Sequence, residues 1–125
     1  MKAKKRKPTK LSTLTNECDR LFSALVRQPQ RCESGRLARH GGVLQCAHGF
    51  SRSYHAVRWD RRNAWCLCQA CHMYFTHHPL EWDIWLHETW GEDLYAEMRA
   101  FALTHKKPDV RELVVALREQ AKAAA

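Results

Sequence analysis

Apolar residues recur at helical spacing through most of the chain, and this pattern is interrupted by two short apolar runs that bracket a polar stretch. Leu14, Cys18, Leu21, Phe22 and Leu25 share one helical face, which predicts a helix capped by Thr13 or Thr15 and running to about Arg27, where Gln28-Pro29-Gln30 stops it. Residues 43–47 and 64–67 read as strands, separated by a long polar loop over 49–63. The knuckle Cys68-x-x-Cys71 leads into a helix of about two turns ending near His77-His78-Pro79.

Two or three further helices follow. The first covers 80–90, with Trp82, Ile84, Trp85, Leu86 and Trp90 closed by Gly91; the second covers 92–104, with Leu94, Tyr95, Met98, Phe101 and Ala102. Pro108 opens the last, 109–124, with Leu113, Val114 and Leu117 inward. The expectation is an α+β domain: a small two-strand, one-helix core with a metal knuckle, an N-terminal helix before it and helices after it. Residues 12–125 form this single domain, with the core at 31–79 and the helical part at 80–125. Residues 1–11 are too charged and too poor in apolar side chains to pack, and read as a flexible basic arm.

Charge sharpens this division. Of a formal net charge of +8, residues 1–10 carry +6, residues 20–63 carry +7 and residues 64–105 carry −5. The positive half also holds the knuckle's partners and the polar loop, as expected of a surface that faces phosphates. Trp82, Trp85 and Trp90 lie in the acidic half at helical spacing, so they are expected in the core and not as base-stacking platforms.

Six cysteines in a chain of 125 residues suggest either disulfides or metal. No apolar segment follows the basic N-terminus, and no run is long enough to span a membrane. The expectation is therefore a non-secreted protein of a reducing compartment, the cytoplasm, in which clustered cysteines bind metal.

Thiolates paired at Cys-x-x-Cys spacing suit tetrahedral zinc, so Cys68 and Cys71 form half of a structural site. Cys32, before the turn Glu33-Ser34-Gly35, is the third ligand. The fourth comes from Cys46, His40 or Cys18, with Cys46 the leading candidate, while Cys66 reads as a small buried hydrophobe.

His48 ends the first strand at the mouth of the polar loop, where a neutral imidazole can take a proton from water near pH 7. His72, one residue past the knuckle, is placed to ligate a divalent cation, Mg²⁺ or Mn²⁺, which neutralises a phosphate. Asn63 can bond backbone groups across the loop and hold the shape that aims His48. Arg52, His55 and Arg58 in the loop, with Lys4, Lys5, Arg6 and Lys7 in the arm, are candidate nucleic-acid contacts.

The order and spacing of His48, Asn63 and Cys68-x-x-Cys71-His72 resemble the HNH (His-Me finger, ββα-metal) endonucleases. The resemblance implies His48 as general base, Asn63 as a structural residue and His72 as the ligand of the catalytic metal. A wider similarity is to the phage recombination endonucleases of the NinG/Rap family. It is carried by Leu25-Val26-Arg27 before Cys32-Glu33-Ser34-Gly35, by Ala47-His48, Ser51-Arg52 and Arg58-Trp59-Asp60, and by the helical C-terminal pattern.

Two positions depart from those families: the turn at 32–35 has one cysteine where they have two, and Ala47 stands where many HNH enzymes carry a metal-binding Asp. The function so implied is a metal-dependent DNA endonuclease, phage-derived and acting in recombination or DNA processing in a bacterial host's cytoplasm, on duplex or branched DNA. The alternative is a non-catalytic zinc-containing module that binds DNA or assists recombination.

Overall fold

The computed structural model describes residues 7–35 and 40–125, which contain five α-helices and a two-stranded antiparallel sheet. The order is α1 (Leu11–Val26), β1 (Leu44–His48), β2 (Ala64–Cys68), α2 (Gln69–His77), α3 (Pro79–Trp90), α4 (Glu92–Thr104) and α5 (Val110–Ala124). The connection between the strands carries two 3₁₀ turns, His55–Val57 and Arg61–Asn63. Among the described residues, no helix is long and apolar enough to cross a membrane.

Helix α1 begins earlier than its polar residues suggest. Lys10 occupies the cap with no side-chain hydrogen bond, and Thr13 and Thr15 lie inside the helix. Its apolar stripe, not a capping residue, defines its extent: Leu14, Cys18, Leu21, Phe22, Leu25 and Val26 are all buried. They pack on Val110, Val114 and Leu117 of α5, joined by Trp59 and Ala64. Each such Leu, Val or Phe contributes about 1.5–3 kcal/mol relative to exposure. Asp109 caps α5 by accepting from the Arg111 and Glu112 amides, and Arg118 makes a two-pronged pair with Glu17 at 2.6 and 2.8 Å.

The strands pair in the register Leu44↔Cys68, Cys46↔Cys66 and His48↔Ala64. Alternation along a strand sends its side chains to opposite faces. Cys46 and Ala64 accordingly pack with the α1–α5 cluster, whereas Ala47, Trp65 and Leu67 pack with the second core under α2 and α3.

That second core is aromatic. Trp65, Trp82, Trp85, Trp90, Phe75, Phe50 and Tyr95 meet in edge-on and stacked pairs with centroids 4.9–6.0 Å apart. The three indoles of α3 each donate to a backbone carbonyl outside the helix: Trp82 to Gly49, Trp85 to Ser34 and Trp90 to Arg62, at 2.9, 2.9 and 3.0 Å. One helix thus fastens both ends of the connection between the strands and the segment before β1. Gly91, at φ 77°, turns the chain directly from α3 into α4, a left-handed conformation that glycine adopts without strain.

Candidate metal centre and histidine cleft

The sheet borders two different sites. At the Leu44/Cys68 end, one donor atom from each of Cys32, His40, Cys68 and Cys71 lies within 4.8 Å of the others, so the set can hold a metal ion. Three sulfurs and one imidazole suit tetrahedral zinc.

The backbone around this cluster is tightly specified. Cys68 ends β2 and caps α2, its Sγ accepting from the Cys71 amide at 3.4 Å. Glu33 pins the Cys32 segment to β2: its amide donates to the Cys66 carbonyl and its carboxylate accepts from the Cys66 amide, both at 2.8 Å. The Gln69 and Ala70 amides hold the segment beside His40 through the Val43 and Gly41 carbonyls, at 2.8 and 3.0 Å. Gly42, at φ 81°, passes so close to Gln69 that a Cβ there would meet its side chain at 2.5 Å.

Around the sulfurs, Ser34 is buried; its hydroxyl donates to Cys71 Sγ at 3.2 Å and accepts from Cys32 Sγ. Burial opposes ionisation of Cys68, but the Cys71 and Gly41 amides outweigh it and bring this thiol down to about 7. Burial and the neighbouring cysteines push Cys71 up to about 12, so a cation is what allows the remaining thiolates to form together.

The fourth position corrects the expectation of Cys46. His40 Nδ1 lies 3.4 Å from Cys71 Sγ and 3.7 Å from Cys68 Sγ. Cys46 sits mid-strand opposite Cys66 and packs against the α1–α5 core, where burial pushes its thiol up to about 11. Cys18 belongs to the same core, its sulfur 3.9 Å from the Val110 carbonyl.

Along β1, His48 and His72 line one cleft of about 830 Å³, together with Asp19, Phe22, Ser23, Arg27, Leu44, Gln45, Ser51, Arg52 and Thr76. They also share a small cavity of about 70 Å³ with Ala47, Leu67, Phe75 and Trp82. His48 stacks on Phe22 with centroids 5.9 Å apart, and its Nε2 donates to the Arg58 carbonyl at 2.9 Å. A carbonyl only accepts, so the proton resides on Nε2 and the lone pair on Nδ1.

His72, in the first turn of α2, donates from Nδ1 to Gln45 Oε1 at 2.7 Å, which leaves the Nε2 lone pair without a hydrogen-bond partner. Burial lowers the pKa of both rings below the ordinary histidine value, His48 despite its bond to the Arg58 carbonyl, and so favours neutral imidazoles.

Asn63 is fully buried between the strands' connecting segments. Its Oδ1 accepts from the Phe50 amide at 2.7 Å, and its Nδ2 donates to the Phe50 and Val57 carbonyls at 3.0 and 3.1 Å. One amide therefore closes both sides of the 49–63 connection. Gly49 lies against it: the Gly49 amide donates to the Asn63 carbonyl, and a Cβ at 49 would come within 2.8 Å of Asn63 Oδ1.

The arginines divide into two kinds. Arg52 is 60% exposed at the cleft, and its guanidinium reaches to 4.0 Å from Asp19. Arg58, only 17% exposed, turns inward and grips the Asp19 carboxylate through Nε and Nη2. Of the expected nucleic-acid contacts, Arg58 is thus paired within the protein while Arg52 stays exposed at the cleft. His55 is exposed in the first 3₁₀ turn and does not line the cleft. Lys7 is exposed, while Lys4, Lys5 and Arg6 lie outside the described residues.

Sequence reasoning missed Asp19, Arg27 and Gln45 at this cleft. Gln45 carried a usable signal: it is a polar residue inside an otherwise apolar strand run. Asp19 and Arg27 carried none, because nothing in the chain says that α1 borders the cleft. Comparison of the chain with protein-family models, curated proteins and solved structures finds no match.

Proposed function

We propose that this protein is a metal-dependent DNA endonuclease whose stability rests on zinc bound by Cys32, His40, Cys68 and Cys71. The observation that carries this reading is the pair of histidines on one cleft, each with one nitrogen bound to a fixed acceptor and the other open. His48 Nδ1 takes a proton from the attacking water. Arg27 and Arg52 on the same cleft bind the flanking phosphates, where a forked guanidinium matches two oxygens.

His72 Nε2 would hold the divalent cation, which would supply charge to neutralise the phosphate and stabilise the departing oxygen. The donor set suits this role: one open imidazole, with water free to fill the other positions. Asp19, the cleft's one carboxylate among its described lining residues, is taken by Arg58 and Trp59. A lone imidazole without a carboxylate favours Mn²⁺ over the harder Mg²⁺. The resemblance to HNH and NinG/Rap endonucleases and the basic arm support DNA as substrate.

Ala47 supports a second reading, a non-catalytic zinc-containing DNA-binding module. It is 1% exposed beside His72, at the position where many HNH enzymes place Asp.

The two readings separate in one panel. Supercoiled duplex, single-stranded and branched DNA are incubated with the zinc-loaded protein in Mg²⁺, Mn²⁺ or Zn²⁺. The endonuclease nicks at least one DNA form, faster in Mn²⁺ than in Mg²⁺. Tight, salt-sensitive binding with no turnover in any cation overturns it in favour of the second reading.

A further inference from the structure

The acceptor that fixes His48 is not itself anchored by the sheet. The Arg58 carbonyl belongs to the connection between the strands, and a carbonyl on a wandering loop cannot hold an imidazole in one tautomer. Asn63 holds the neighbouring Val57 carbonyl, and a second anchor comes from α1. Asp19 Oδ1 accepts from Arg58 Nε at 3.0 Å and from Trp59 Nε1 at 2.9 Å, and Asp19 Oδ2 accepts from Arg58 Nη2.

Three donors from two consecutive residues thus converge on one carboxylate. The residue whose side chain is held this way is also the one whose carbonyl faces His48. Trp59 is buried in the α1–α5 core, so the clamp is set against a rigid wall. His48 lies against the same helix through Phe22, three residues along from Asp19.

We infer that Asp19 is the positioning residue of the His48 base, acting through Arg58 to set the ring's tautomer and aim. Asp19 itself touches no reacting atom in this scheme. It plays the part of an orienting carboxylate displaced by one step, with a guanidinium and a peptide carbonyl between it and the imidazole. The inference rests on His48 as the base only for its consequence in catalysis; the tautomer it fixes is a property of the folded protein.

The test reads the ring directly. Full-length zinc-loaded protein, labelled with ¹⁵N-histidine, is observed through long-range ¹H–¹⁵N couplings in the parent, Asp19→Asn, Arg58→Ala and the double variant. Arg58→Ala leaves the carbonyl in place and removes the two guanidinium bonds of the clamp. The parent is expected to show His48 protonated on Nε2. Both single variants are expected to show mixed tautomers, and the double variant no further change, since the two residues act as one unit.

Zinc content and thermal midpoint identify any variant that fails to fold, and Arg58→Lys then serves as the milder removal of the fork. In the nicking assay the singles are expected to lose turnover about ten- to hundredfold with KM little changed, the range typical of outer-shell partners. An Nε2 tautomer unchanged in folded Asp19→Asn and Arg58→Ala overturns the inference. So does an additive double variant, which would mean that Asp19 acts by its charge alone. A parent that nicks no DNA sinks the nuclease reading and leaves the tautomer result standing.

Discussion

Two sites beside one five-residue strand pair are held by opposite means. At the first, four donor atoms lie within 4.8 Å of one another, and the Glu33, Gln69, Ala70 and Cys71 amides hold the segments that carry them. At the second, the His48 and His72 rings line one cleft, each held by one hydrogen bond with its other nitrogen unpaired. The first arrangement uses all its ligating capacity for stability. The second withholds half of it, which is what chemistry requires of a group that must exchange protons or cations. The sheet borders both, so a metal bound at the first would stiffen the frame that carries the histidines of the second.

The sharpest way to break this comparison is to remove the metal. Structural zinc in small domains contributes about 10–16 kcal/mol of apparent binding energy, more than a typical domain's whole stability. Stripping the protein with a strong chelator, or making Cys71→Ser, is expected to abolish the cooperative thermal transition. His40→Ala is expected to lose most of the bound zinc, whereas Cys46→Ser keeps one zinc per chain. A stoichiometry that falls with Cys46→Ser and holds with His40→Ala would reverse the ligand assignment.

The next effect is at Asn63. Asn63→Ala leaves two carbonyls and one amide without their buried partner, at about 1–3 kcal/mol for each group that water does not reach. A loss of about 3 kcal/mol is expected by denaturant titration, with zinc retained. A loss below 1 kcal/mol would mean that the 49–63 connection holds its shape without this amide.

Smaller again is the pH response of His48 and His72. Burial places their folded pKa values below 6.5, so the unfolded chain binds protons first as pH falls. Stability is therefore fully present above about pH 6.5 and declines as pH drops from there toward the folded values. The acid limb of nicking is expected below pH 6.5 for the same reason. An acid limb centred above 6.5 would contradict a buried, neutral base. The slightest effect concerns the arm: deleting residues 2–10 is expected to flatten the salt dependence of DNA binding while leaving turnover at saturation unchanged.

The strand, loop, strand and knuckle order was legible because each element carries its own local mark: short apolar runs, a polar interval and paired cysteines. Helix α4 matches its expected bounds, 92–104, because Gly91 and the acidic pair Glu92-Asp93 mark its start. Helix α1 starts before its expected caps because packing against α5 stabilises its first turns without one.

What could not be read is pairing at a distance. Cys18 meets Val110 across 92 residues, and Asp19 meets Arg58 across 39. Neither contact leaves a trace in spacing, since any two amphipathic faces or opposite charges would look the same. His40 and Cys46 were equally eligible by residue type. Only the turn of the strand, which sends Cys46 toward α1, decides between them.

The proposed cleavage depends on the unpaired nitrogen of His48. The most direct measurement is the nicking rate of supercoiled plasmid by zinc-loaded parent and His48→Ala at equal Mn²⁺, with zinc content and thermal midpoint matched. The expected result is nicking by the parent and a loss of about 10²–10⁴-fold in the variant, the usual worth of a general base. A variant that nicks as fast as the parent would contradict the account.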